Sequence, residues 1–206
     1  PNDDTGTSEL HYIKLFVPQI WVGDDAFPDR NPDRFLQHQA VVTKEWIEDV
    51  RRTRRTAGWM MFSNFNWFRN GWSAEHLAPY PVQEYTRSAY ADVLISARFR
   101  NRHARAGGEI RGELVVVNDS NHFRDLSRLT CTMELHDADG RSLGRRRFEL
   151  PDCPYFRRSD TAFSLPIAPG LNAERSRARL ELTLHSGERV VARNHYRMLI
   201  GGRRID

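Results

Sequence analysis

From Asp92 onward the chain is written with a two-residue period. "DVLISARF", "GGEIRGELVVVNDS", "LTCTMELHDADGRSLGRRRFEL", "TAFSLPI" and "ARLELTLHSGERVVARNHYRMLI" are short runs rich in Val, Leu and Thr. In the last of them Leu180, Leu182 and Leu184 fall on one face of a pleat and Glu181 and Thr183 on the other, because successive side chains of an extended chain point in opposite directions. Gly107-Gly108, Asn118-Asp119-Ser120, Asp139-Gly140 and Ser186-Gly187 separate the runs with residues suited to tight turns. About seven strands over ~110 residues match the size and rhythm of an immunoglobulin-like antiparallel β-sandwich.

The first 91 residues follow other periods. "NPDRFLQHQAVVTKEWIEDVRRTRR", Asn31 to Arg55, reads as a helix. Asn31 is a good N-cap, Pro32 fits the first helical position, and Asp33 suits the first turn. Phe35, Val42, Trp46, Ile47 and Val50 predict one buried stripe, and the arginines gather where they complement the helix dipole. "TAGWMMF" follows as a continuous apolar run, which fits a strand buried on both faces, as in a parallel sheet covered by helices. "PYPVQEYTRSAYA", Pro79 to Ala91, predicts a second helix, with Pro81 near its start and Val82, Tyr85 and Tyr90 inward. Helix, buried strand, loop and helix amount to part of a β/α array.

Composition narrows the function classes. The chain has 206 residues and a formal charge of +4. Only Lys14 and Lys44 are lysines, and the arginines spread along the chain among Asp and Glu. A nucleic-acid binder gathers its charge on one element, so no nucleic-acid partner is expected. The clusters Arg51-Arg52/Arg54-Arg55 and Arg145-Arg146-Arg147 read as a helix C-terminus and a solvated strand or turn. No apolar run approaches the ~20 residues that cross a bilayer, and no membrane partner is expected. The start, "PNDDTGTSEL", is acidic and polar and carries no signal peptide; opening on Pro, it reads as cut from something longer. The eight histidines lack metal-ligand spacing, so neither metal nor cofactor is expected. Cys131 and Cys153 are open to a single disulfide or to two buried free thiols.

"GWMMFSNFNWFRNGW", Gly58 to Trp72, is the candidate site. Ligands of parallel β/α folds meet the C-terminal ends of strands, where Ser63 to Trp67 fall. Asn offers two donors and an acceptor, and Trp offers an apolar face with one N–H. Together they suit a sugar, with its apolar faces and hydroxyl edges. Asn64, Asn66, Trp67 and Trp72 are the residues chosen, and Arg69 adds a charged donor. The same residue types also fill cores and satisfy loop backbone.

The order of elements resembles the end of a glycoside hydrolase family 2-type enzyme. A helix, the strand "GWMMFSNFNWF", a last helix "PYPVQEYTRSAYADVLIS" and an Ig-like domain containing "AGGEIRGELVVVNDS" carry the likeness over roughly residues 31–200. The resemblance implies that residues 1–91 are the C-terminal part of a (β/α)8 barrel and 92–206 an Ig-like sandwich. The fold class is then α+β in two parts, a TIM-barrel-end segment followed by the sandwich. It also implies that Asn64 and Asn66 match polar positions lining the subsite of the cleaved sugar. Ser63 stands where the family's tryptophan is expected, with Trp67 a few residues later. The chemistry needs two carboxylates about 5–5.5 Å apart for retention of configuration. In the family both would precede residue 31. Glu9, in "TSELHY", is the one nearby candidate and reads as a loop carboxylate; Glu75 and Glu84 read as surface residues, and Asp24, Asp25 and Asp29 as solvated turn residues. The resemblance therefore implies a carbohydrate substrate of β-linked type, partnership with the rest of the barrel, and no complete catalytic pair in this chain.

The competing reading is a non-catalytic sandwich that binds glycan or protein. Such a module would expose aromatics such as Phe123, Tyr155, Phe156 or Tyr196. A third class, an adhesion- or chaperone-type Ig domain, accounts for residues 92–200 alone.

Overall fold

The computed structural model describes residues 32–53, 68–69, 73–169 and 175–202, with the side chains of 32–35, 69 and 175 outside the description. Asn31 and the strand expected over Trp59–Phe62 lie outside the described residues, which show no barrel segment. The described residues fall into two compact units, divided after Tyr90.

In the first unit, α1 spans Pro32–Thr53 and packs on α2, Pro81–Ala89. Between them β1, Phe68–Arg69, pairs antiparallel with β2, Ala78–Pro79. Leu36, Ala40, Tyr80 and Val82 form the small core, with Tyr85 packed against it. The buried face of α1 differs from the expected stripe. Leu36, Ala40, Thr43, Lys44, Ile47 and Glu48 are buried, whereas Val42 and Trp46 are 53% and 58% exposed and Val50 is half-buried. Of the expected stripe's described side chains, only Ile47 is fully buried. The apolar residues of α1 divide between two faces, and the face that packs also accepts charge. It does so because the charges are neutralised in place: the Lys44 ammonium lies 2.7 Å from the Glu48 carboxylate, one helical turn away. Arg52 continues the row, 3.9 Å from Glu48 and 3.2 Å from Asp49.

Pro81 opens α2, where its missing N–H costs nothing, and Val82, Thr86 and Ala89 face inward. Tyr90, expected inward, is 40% exposed, because it is the C-cap and lies past the packed face. Arg51 donates to the Ala89 carbonyl at 2.6 Å, placing a cation at the negative end of α2.

The described residues of the second unit form a β-sandwich of eight strands. They are β3 (Val93–Phe99), β4 (His103–Arg105), β5 (Glu109–Asn118), β6 (Leu129–Asp137), β7 (Ser142–Leu150), β8 (Arg157–Pro166), β9 (Arg175–Ser186) and β10 (Arg189–Gly201). One sheet runs β4-β10-β9-β6-β7 and the other β3-β5-β8. Neighbours are antiparallel except β4 and β10, which are parallel. The extra strand over the sequence count is β4, whose three residues are too few to show a period.

Alternation decides the core. Leu180, Leu182 and Leu184 are buried while Glu181 and Thr183 are half-buried. They meet Ile95, Leu114 and Val116 of the smaller sheet in one continuous cluster. β3 and β5 are apolar on both faces, and Leu94, Val115 and Val117 form a separate buried cluster on the side away from that core. Gly112 is required by close packing: a Cβ there would lie 2.2 Å from the Arg98 carbonyl and 2.8 Å from the Phe163 ring. The Asp139-Gly140 and Ser186-Gly187 turns form as the sequence suggests, with φ of 81° and 60° at the glycines. β7 is an edge strand, and Arg145, Arg146 and Arg147 stand exposed along it. Cys131 and Cys153 are both buried and free, so the disulfide alternative is excluded.

Candidate functional site

Asn64, Asn66, Trp67 and Trp72 lie outside the described residues, as do Ser63 and Glu9. Of the residues chosen from sequence, Arg69 alone has a described backbone, on β1 opposite Ala78. The strand-tip set therefore lies outside the described side chains. Glu75, in a turn, and Glu84, in the first turn of α2, are exposed, as surface residues should be.

The described residues do assemble a second constellation, at one end of the sandwich. It is built by two loops, 119–128 after β5 and 151–156 after β7. Asn118, the last residue of β5, joins them. Its side-chain amide donates to the Arg124 carbonyl at 2.8 Å and to the Cys153 carbonyl at 3.0 Å, and its Oδ1 accepts the Ser120 amide at 3.2 Å. Leu126 and Cys153 exchange backbone hydrogen bonds of 3.0 and 2.8 Å. The Asp125 carboxylate accepts the Tyr155 amide at 2.7 Å, and Asp152 accepts the Arg128 amide at 2.9 Å. Phe156 donates its own amide to the Asn118 carbonyl at 2.8 Å. Asn and Asp suit this work because their short side chains reach nearby backbone that no ladder serves.

These bonds hold three aromatic rings side by side. Phe123 meets Tyr155 edge-on, with centroids 5.1 Å apart. Tyr155 and Phe156 are tilted by 42° at 6.0 Å. Tyr155 is half-buried in the middle, but Phe123 is 73% and Phe156 62% exposed. The backbone is strained to achieve this. Among the described residues, the non-glycine positions in the left-handed region are Phe123, Arg128 and Phe156, with φ of 53°, 52° and 56°. All three belong to these two loops. Each costs about 1–2 kcal/mol relative to an ordinary backbone conformation.

Around the rings stand exposed Asn121, His122, Arg124, Asp125 and Arg157. Asp125 and Asp152 are engaged as backbone acceptors. Among the described residues no group of His, Cys, Asp and Glu could hold a metal ion. The arrangement suits binding and offers no nucleophile–base pair. Of the aromatics that the binding-module reading expects at the surface, Phe123, Tyr155 and Phe156 are there. Tyr196 is not: it is 2% exposed, and its hydroxyl is engaged between the sheets. The sequence signal for the trio was the aromatics beside Asn118-Asp119-Ser120 and Pro154. It gave no hint that two distant loops would be joined.

Both thiols are buried. Burial pushes the Cys131 thiol up to about 12. Cys153 donates to the Arg157 carbonyl at 3.3 Å. Among the described residues no helix is long and apolar enough to cross a membrane.

No protein-family model matches the chain. No curated protein matches it either. Solved structures do. The exo-chitosanase CsxA of Amycolatopsis orientalis matches with a TM-score of 0.58 at 16% identity, over 93% of this chain and 24% of that one. A structure from an inhibition study of the exo-β-D-glucosaminidase CsxA gives 0.58 at 17% identity, with the same coverage. A complex of CsxA with PNP-β-D-glucosamine gives 0.54 at 17% identity, over 85% of this chain and 21% of that one. The chain thus spans about a quarter of the length of the structures it matches best among these. What the chain shares with these structural neighbours at this identity is the fold.

Proposed function

We propose that this chain is the C-terminal portion of a family 2-like glycosidase acting on β-linked glycosides. In this reading residues 1–91 close a (β/α)8 barrel and residues 92–206 are an accessory Ig-like sandwich. Asn64, Asn66, Trp67, Arg69 and Trp72 line a sugar subsite, and the catalytic carboxylates stand on barrel strands encoded before Pro1. The observation that carries the reading is the fold likeness over 93% of the chain, covering both units, against a quarter of a longer glycosidase. The Val42–Trp46 stripe supports it. Two apolar side chains exposed one helical turn apart suit contact with further barrel elements.

The neighbours act on glucosamine-containing substrates, so the same class is the first to try. The protein expressed from the full reading frame is assayed on p-nitrophenyl β-D-glucosaminide beside the 206-residue chain. Turnover by the longer protein alone is the expected result. Turnover by the 206-residue chain, or by neither, overturns the proposal.

The exposed aromatic trio favours a second reading, a carbohydrate- or protein-binding sandwich without catalysis. It predicts ligand binding by the sandwich with no hydrolysis by any length of the protein.

A further inference from the structure

We propose that Phe123, Tyr155 and Phe156 form an accessory carbohydrate platform, separate from the sugar subsite assigned to the 58–72 segment. The proposal rests on the reading that this protein's substrate class is carbohydrate.

Three observations carry it. First, the rings are presented rather than left over. Two phenylalanines occupy left-handed backbone positions that their side chains disfavour, and both point their apolar surface at solvent. A fold optimised for stability alone would place Asn or Gly at such positions. Second, the platform is pre-organised. Hydrogen bonds donated by the Asn118 amide and accepted by the Asp125 and Asp152 carboxylates fix both loops, so little conformational entropy remains to be lost on binding. Third, its size and rim select the occupant. Three aromatic side chains at ~150–250 Å² each fall short of the ~800 Å² that a stable protein interface takes from each partner. The rim is polar, with His122, Arg124, Asp125 and Arg157; its two arginines against one aspartate leave it close to neutral and unsuited to a strong cation. Ring faces beside hydrogen-bonding groups of mixed sign fit a neutral or weakly charged polyhydroxylated chain. The tilt of 42° between Tyr155 and Phe156 suits successive sugars of a twisted oligosaccharide more than one flat ring.

The test is calorimetric titration of the 206-residue chain with a β-1,4-linked glucosamine hexamer and a β-1,4-linked glucose hexamer. Phe123→Asn and Phe156→Asn are the variants, because Asn tolerates the left-handed backbone and protects the fold. Each is expected to weaken hexamer binding about tenfold, the worth of one aromatic contact. Unaltered affinity in the Phe123→Asn/Phe156→Asn double variant overturns the platform. So does absence of binding to either hexamer, even where the longer protein still cleaves its aryl glycoside. Conversely, binding that the double variant loses, in a protein without turnover at any length, upholds the platform and removes the enzyme reading. Concentration-dependent self-association that the double variant abolishes, with no sugar bound, would reassign the rings to a second copy of the chain and overturn the proposal.

Discussion

The hydroxyl of Tyr196 on β10 accepts the backbone amide of Ala97 on β3 at 2.9 Å, across the two sheets of the sandwich. Asn194, two residues earlier, donates to the Ile95 carbonyl at 2.7 Å and to the same hydroxyl at 3.1 Å. β3 is an edge strand, so side chains of β10 satisfy the backbone groups that no neighbouring strand reaches. Tyr196→Phe keeps the ring but leaves a buried amide unpaired. We expect a loss of about 1–3 kcal/mol, measured by urea denaturation followed by far-ultraviolet circular dichroism. A change below about 0.5 kcal/mol would be that of an ordinary surface substitution and would remove the bond from the account.

Two glycines should respond differently to a methyl group. Gly112→Ala drives a Cβ into the Arg98 carbonyl and the Phe163 ring. Overpacking of this kind costs about 1–3 kcal/mol or more, because backbone and ring must both move. At Gly140 nothing lies within 4 Å, and only the φ of 81° opposes a side chain. Gly140→Ala should cost about 1 kcal/mol. Equal melting temperatures for the two variants would contradict the packing described here.

The buried thiols make a pH prediction. Burial raises Cys131 from its ordinary value of 9.0 to about 12 in the folded state. The folded protein therefore holds a proton that the unfolded chain releases. The resulting stability is fully present below pH 9.0 and is lost as pH rises towards about 12. Cys131→Ala should flatten the alkaline limb of the stability curve. In the native protein at pH 8, iodoacetamide should modify neither thiol at the rate of free cysteine, and both should react in denaturant.

Strain at the aromatic loops predicts a trade between stability and binding. Phe156→Asn relieves a left-handed phenylalanine and should raise stability by up to about 1 kcal/mol while hexamer affinity falls. A fall in stability with affinity unchanged would indicate that the ring merely packs.

On α1 the Lys44–Glu48 pair gives a further contrast. Glu48→Ala removes the carboxylate 2.7 Å from a buried ammonium and should cost about 3–5 kcal/mol, whereas the Lys44→Met/Glu48→Leu double substitution should cost much less. All five tryptophans precede residue 73, so indole fluorescence follows the first unit and leaves the sandwich silent. An equal cost for single and double variants would show that the charges are not buried as a pair.

The sandwich was legible because its information is local. Leu180 to Leu184 states the pleat, and Gly140 and Gly187 state the turns. Helix positions were legible too, through Pro32 and Pro81. The buried face of α1 was not. Hydropathy ranks Trp46 above Lys44, whereas packing and ion pairing place Lys44 inside and Trp46 at the surface. Charge that is paired one turn away behaves as a filler, and a reading by residue type misses that. The site was divided in the same way. The 58–72 segment suggests a sugar subsite by composition alone and, apart from Phe68 and Arg69, lies outside the described residues. The Phe123–Tyr155–Phe156 trio depends on two loops about 30 residues apart being joined through Asn118, and no local pattern records that.

Along β7 the arginines have a colloidal consequence. An edge strand offers backbone to any passing chain, and the charged side chains along this one, Arg145 and Arg147 beside Glu134 and Glu149 at 3.1 and 3.9 Å and Arg146 between them, oppose a second copy approaching in register. Arg145, Arg146 and Arg147 thus guard the sandwich against templated fibre growth. High salt, by screening those charges, is the condition under which the purified protein should begin to precipitate.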